Sequence, residues 1–176
     1  MFYEFEGKRP VVGKTSFIHP QAVIIGDVTI GEKCFIGAGA VLRGDFGQIV
    51  IGDGSNIQEN SVIHSQSDEA AVIGDNVLIG HTSIVHGPCV IDDNAVIGMG
   101  AIVSVDCNIE AGGMLAAGSI LPPGHTIPAH KLAVGAPARI TKDIDEPTEA
   151  FNRVGIQLYQ ELAGRCLKGL KPIEGQ

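Results

Sequence analysis

The sequence predicts an all-β fold: a parallel β-helix of hexapeptide repeats with one C-terminal α-helix packed on its outside. Three observations predict it. An aliphatic residue recurs every six positions, as Ile18, Ile24, Ile30, Ile36 and Leu42, then Ile51, Ile57 and Ile63, then Ile73, Ile79, Val85, Ile91, Ile97, Val103, Ile109, Leu115 and Leu121. The residue four places later is usually small, as at Ala22, Cys34, Ala40, Ser55, Ser83, Ala95 and Cys107. Large rings are scarce, with no Trp and 5% aromatics, while glycine is abundant, 24 of 176 residues, about twice its usual share. A fixed short period over such a length means a solenoid, and a period of six fits neither a helix nor a simple alternating strand.

The elements follow in order. Residues 1–16 precede the period and read as a cap. Residues 17–122 form the β-helix, three hexapeptides to a coil and one to each face of a narrow prism. Each aliphatic side chain points inward and stacks on its equivalent one coil away, at the strand spacing of about 4.8 Å. The small residue fits the tight interior, and glycine suits the corners. Past Leu121 the period stops, and Pro122, Pro123, Gly124 and Pro128 mark a loop over 123–144. From Asp145 the pattern turns helical over 145–170. Asp145 caps, Pro147 suits the first turn, and Phe151, Val154, Leu158, Leu162 and Leu167 follow helical spacing.

Composition narrows the function classes. The length suits a single domain. A net charge of −8 and a pI near 5.1 argue against nucleic acid, which needs a basic face. No stretch reaches the roughly twenty apolar residues of a membrane span. The first residues lack the basic and apolar regions of a signal peptide, so a cytoplasmic location is expected. The four cysteines form no CxxC pair. Cys34, Cys89 and Cys107 occupy the small interior position and read as buried small hydrophobes, as does Cys166 in the helix.

The repeat also places the histidines. Arg43, His64 and His86 each directly follow an aliphatic residue of one face, so they form one outward column on consecutive coils. His64 and His86 are then neighbours at strand spacing, able to hold one metal from the same side. His81 leaves a different corner, and the five extended residues to His86 span up to about 16 Å. Metal–imidazole bonds of about 2.0–2.1 Å put it out of reach within one chain. It can join if a second prism docks its His81 corner against the His64–His86 corner, and repeating that contact closes a ring, a homotrimer with three equivalent sites. Both breaks in the period, after Leu42 and after Ile63, leave from the same face, and insertions in repeat proteins collect on the functional face. His19, His125 and His130 read as surface residues.

Arg43-Gly44-Asp45, Asn56-Ile57-Gln58-Glu59, Ile63-His64 and Gly80-His81 through Val85-His86-Gly87 resemble the gamma-class carbonic anhydrase family, over nearly the whole chain from Pro10 to the helix. Ordinary hexapeptide acyltransferases share the repeat without this histidine trio. The run Tyr159 to Cys166 resembles a subgroup found in phenylacetate-degradation and carnitine operons. The resemblance implies a left-handed coil and a zinc ion, iron or cobalt in some members, held by His64, His81 and His86 between subunits. It implies a lyase that hydrates CO2 to bicarbonate with water activated by the metal. Gln58 matches the residue that orients the attacking oxygen, Asn56 its helper, and Tyr159 a helix tyrosine that reaches the site. Arg43 and Asp45 match an interface ion pair and Glu59 an acidic interface residue.

The chain departs from the prototype in two places. Only Ser65 to Ala70 stand where the prototype has a long acidic loop with a proton-shuttling glutamate, and Phe46 replaces a second acidic residue. Asp68 and Glu69 are the candidates to carry protons instead. Three other activities remain open: an acyl-CoA thioesterase, a CoA-dependent acyltransferase, suggested by the repeat and by Gly135-Ala136-Pro137-Ala138, and an inactive metal-binding scaffold.

Overall fold

The structure, a computed structural model, describes residues 1–173. It is a parallel β-helix of about seven coils with one C-terminal helix. The inward aliphatics form three columns in strict register. One runs Ile36, Ile57, Ile79, Ile97 and Leu115. The second runs Leu42, Ile63, Val85, Val103 and Leu121. The third runs Ile51, Ile73, Ile91, Ile109 and Ile127. All are buried. Each column is an apolar stack in which every side chain touches its own kind above and below, so register and burial enforce each other.

One face is an eight-stranded sheet. The other two belong to a twelve-stranded sheet, because the Val23–Ile30 and Val41–Ile51 strands run through the corner between them. Left-handed residues turn the corners. Asn76, Asn94, Gly112 and His130 recur eighteen apart with φ of 54°, 60°, 66° and 55°. Three stacked carboxylates serve this framework. The backbone N–H groups of Glu32, Asp53 and Asp75 donate to the carboxylates of Asp53, Asp75 and Asp93 on the next coil, at 2.7–2.8 Å.

The first insertion bulges from the corner at Asp45–Gly47, where the register between the two long strands shifts. The second, Ser65–Glu69, lies on the adjacent coil against it. Gly47 makes that packing possible: a Cβ there would stand 2.2 Å from Gln66 O and 2.4 Å from Glu69 O.

Two features differ from the sequence reading. Residues 123–144 are not a loop. Thr126–Ile127 and Lys131–Gly135 continue the coils, and Ala138–Asp143 pairs back antiparallel to close that end of the eight-stranded sheet. The prolines hid this coil because they sit at its corners, where no ladder hydrogen bond is lost. The helix, Glu146–Gly169, is capped by Asp145, whose carboxylate accepts from Thr148 N at 3.0 Å. Hydrogen bonding from the Thr148 side chain, and then from its backbone N–H, holds the Asp145 carboxyl below its usual range. Its buried side chains are Ile156 and Ala163, with Tyr159, Leu162 and Cys166 packed on Phe17 and Phe35. Phe151, Val154, Leu158 and Leu167 stay exposed, because close approach to the sheet selects the small residues Gly155 and Ala163. Cys34, Cys89 and Cys107 are buried, but Cys166 is only half-buried. Among the described residues no helix is long and apolar enough to cross a membrane.

Ile79→Ala removes a side chain from a stack that cannot collapse. It is expected to cost about 2–5 kcal/mol in chemical denaturation. Ala163→Leu, at the tight helix contact, is expected to cost about 1–3 kcal/mol by overpacking.

Candidate metal centre

The strand register sets the histidine column. Arg43 pairs with His64, and His64 pairs with His86. The two imidazoles meet edge to face with ring centroids 5.4 Å apart. His64 is 9% exposed and His86 half-buried. His81 stands elsewhere, in the turn after Leu78–Ile79 of the eight-stranded sheet, where it meets the helix. Among the described residues of one chain, no three His, Cys, Asp or Glu side chains converge on a point that could hold an ion.

The hydrogen bonds of these rings decide what they can bind. His64 Nδ1 lies 2.8 Å from Arg43 O, and His86 Nδ1 lies 2.9 Å from Gly87 O. A carbonyl oxygen only accepts, so each Nδ1 must carry the proton. His81 Nδ1 lies 2.6 Å from the Glu59 carboxylate, which imposes the same tautomer. In all three rings the lone pair is therefore on Nε2. A ring whose far N–H is tied to a carbonyl or carboxylate is the arrangement in which imidazoles ligate metals. The donor set thus fits a metal, with His64 and His86 from one corner and His81 from another.

The amides sit with His81. Asn56 and Gln58 are buried on the coil beside Leu78–Gly80. Gln58 Nε2 donates to Asn56 Oδ1 at 3.0 Å, and Asn56 Nδ2 lies 3.5 Å from Val77 O. This chain fixes the amide orientation and leaves Gln58 Oε1 as the outward acceptor. Tyr159 OH reaches to 3.5 Å from His81 Nε2, too long to hold its lone pair. Burial, with the negative Glu59 adding to it, pushes the phenol up, so it stays a neutral donor.

Arg43 and Asp45 form a 2.8 Å ion pair within the chain. Asp45 also lies 3.7 Å from His64 Nδ1. Glu59, which the sequence suggests only as an interface acid, is the group that orients His81. Two further residues enter the site: Phe46, which the resemblance marks only as a departure from an acidic residue, and Ser65, to which it assigns no role. Phe46 stands with its ring centroid 5.6 Å from that of His64 and under the Arg43 guanidinium. With His64, Gln66, Ser67 and His86 it lines a cleft of about 450 Å³. Ser65 is fully buried beside His64, with no hydrogen-bond partner for its hydroxyl among the described residues. Position relative to the repeat could have found Phe46, since it opens an insertion beside a candidate ligand. Nothing in the sequence marks Ser65. Asp68 and Glu69 line a neighbouring cleft with Lys8, Asp27 and Phe46.

Comparison with known proteins gives a consistent family picture. A profile described as bacterial transferase hexapeptide (six repeats) matches residues 9–44 and 70–104. One for the hexapeptide repeat of succinyl-transferase matches 27–65. The carnitine operon protein CaiE of Shigella flexneri is 38% identical over 165 residues, 94% of this chain and 84% of that protein. Among solved structures, a hexapeptide transferase family protein of Anaplasma phagocytophilum is 39% identical with a TM-score of 0.89, covering 93% of this chain and 96% of that one. A Bacillus cereus protein provisionally assigned as an acetyltransferase is 32% identical with a TM-score of 0.91, covering 93% and 95%.

The tautomers are directly observable. In metal-free protein at neutral pH, nitrogen-15 NMR of the imidazoles is expected to show His64, His81 and His86 protonated at Nδ1. Glu59→Gln is expected to loosen only His81, giving it mixed tautomers.

Proposed function

Since this chain belongs to the hexapeptide-repeat transferase family, whose curated relatives include CaiE, we propose a specific chemistry on that common scaffold: hydration of CO2 to bicarbonate at a metal shared between the subunits of a homotrimer. The observation that carries this reading is the common tautomer of His64, His81 and His86. Three rings on two corners of the prism all present a bare Nε2. A family member working as a CoA-dependent acyltransferase needs one histidine as base and gains nothing from such a set.

His64 and His86 of one subunit would hold the metal with His81 of the next. Three neutral imidazoles leave a position open. Zinc, iron or cobalt bound there supplies a Lewis acid that brings the pKa of water toward about 7. The protein then supplies orientation. Gln58 Oε1, kept outward by Asn56, accepts the hydrogen of the attacking oxygen and so directs a lone pair at the CO2 carbon. An amide suits this because it does not titrate. The carbonyls of Arg43 and Gly87 and the Glu59 carboxylate keep the rings aimed. The Phe46 ring walls the cleft with carbon where an acid would pass protons on, so protons leave through Asp68, Glu69 or buffer.

The docking face has an apolar part. Val62, Ile84, Ile102 and Ile120 form an outward column in register, on the strands that carry the histidines or directly extend them. Ile84 and Ile120 are exposed. A neighbouring copy set against this column would bring its His81 corner to the His64–His86 pair.

A second reading, hydrolysis of an acyl-CoA thioester at the same centre, has one observation in its favour. The cleft of about 450 Å³ falls among pockets for drug-sized ligands, about 300–1,000 Å³, and is far larger than CO2 requires.

Protein made under metal-replete conditions is expected to elute as a trimer and to carry one ion per chain. His81→Ala is expected to lose both the ion and stopped-flow CO2 hydration. Co-refolded His64→Ala and His81→Ala subunits are expected to regain about a quarter of the sites, because a mixed ring restores one interface in three. A metal-free preparation, or mixtures with no recovery, would remove the shared centre. Metal retention with thioester cleavage and no CO2 hydration would favour the second reading.

A further inference from the structure

We propose that the groove at the first coil binds an apolar monocarboxylate, a fatty-acid anion. At this end Leu167, in the last turn of the helix, and Leu170, its C-cap, are exposed. The Phe17–Ile18 strand is the last of the eight-stranded sheet. Between them lies a groove of about 840 Å³, within the size range of small-molecule sites. Its walls are Phe2, Phe17, Ile18, Leu167, Leu170 and Pro172, and its polar side includes His19 and Lys171.

His19 differs from the three candidate ligands in a way that suits an anion. Gln21 N–H donates to His19 Nδ1 at 3.1 Å. The lone pair is therefore on Nδ1, and Nε2 carries the hydrogen. The ring is set as a donor, whereas His64, His81 and His86 are set as ligands. The Lys171 ammonium adds a positive charge on the same groove of a chain whose net charge is −8. Two donors beside an apolar trough match a carboxylate with a hydrocarbon tail. A neutral alcohol would use the trough but not the charge, and an alkylammonium would be repelled. In the register of the coils, His19 lies three coils from Gly80, about 14 Å along the axis. This site is therefore separate from the metal centre and does not depend on its chemistry.

The groove carries its own reporter. Cys166 lines it and is half-buried, while the other three cysteines are buried. Burial pushes the Cys89 thiol up to about 12, so thiol reagents should read Cys166.

The test is calorimetric titration of the full chain, metal-free and metal-loaded, with dodecanoate, dodecanol and dodecyltrimethylammonium, alongside Cys166 labelling. Dodecanoate is expected to bind one per chain in both forms and to slow labelling. Dodecanol and the ammonium are expected to bind more weakly. Lys171→Glu is expected to weaken dodecanoate about tenfold, the value of one charge-assisted contact, and Leu170→Asp about as much, by setting a carboxylate against the hydrocarbon tail. Thermal melting by circular dichroism checks that both variants stay folded. Absence of saturable binding, dodecanol matching dodecanoate, or folded variants that bind undiminished would each overturn the proposal. So would concentration-dependent association abolished by Leu170→Asp without dodecanoate binding, which would give the groove to a second copy.

Discussion

The stacking of each inward aliphatic on its equivalent one coil away is the interaction on which everything else rests. In the three columns, from Ile36 to Leu115, Leu42 to Leu121 and Ile51 to Ile127, no residue can slip by one position without turning a buried side chain outward. Outward positions inherit the same register. His64 and His86 are neighbours because Ile63 and Val85 are. The insertions are tolerated because they leave at a corner, where the loops at Asp45–Gly47 and Ser65–Glu69 can bulge without disturbing the stacks. The scaffold is thus rigid at the paired histidines and free to vary beside them.

The backbone also chooses the protonation site of three of these imidazoles, His64, His86 and His19, while the Glu59 carboxylate does so for His81. A histidine on a flexible loop samples both tautomers. Here the Arg43 and Gly87 carbonyls fix His64 and His86 one way, and the Gln21 amide fixes His19 the other. The same residue type thus serves as a potential ligand on one face and a potential donor at the end of the prism. The distinction comes from which backbone group lies beside Nδ1.

The sequence made the column of Arg43, His64 and His86 legible, because a counted repeat converts sequence separation into distance. It also separated His81 from the pair. It did not reveal Glu59 as the partner of His81, since that contact depends on rotamers at a corner rather than on period. The final coil, Thr126–Gly135, stayed hidden although Ile127 keeps the six-residue count, because Pro122, Pro123 and Pro128 surround it and Ala133 then stands where Ile or Leu had recurred. The helix pattern at Phe151, Val154 and Leu158 was visible but pointed to the wrong face. Periodicity finds a stripe, and the sheet selects the side that approaches closest, which here is the side with Gly155 and Ala163.

The split between the histidines ties chemistry to assembly. A chain that keeps two Nε2 atoms on one corner and the third on another cannot complete a three-imidazole centre alone. On the proposed ring each ion sits at an interface, and each interface holds one ion. Binding that occurs only in the assembled state stabilises that state by mass action. On that proposed ring the apolar column of Val62, Ile84, Ile102 and Ile120 would provide contact area that is indifferent to metal, whereas the His81–Glu59 pair would provide contact that is not. Assembly by the column alone leaves a preformed pocket for the ion. Assembly that waits for the ion makes the metal a structural element as well as a reactive one. For the proposed ring, the exposure of Ile84 and Ile120 beside His64 and His86 favours the first order, in which the subunits meet and the metal follows.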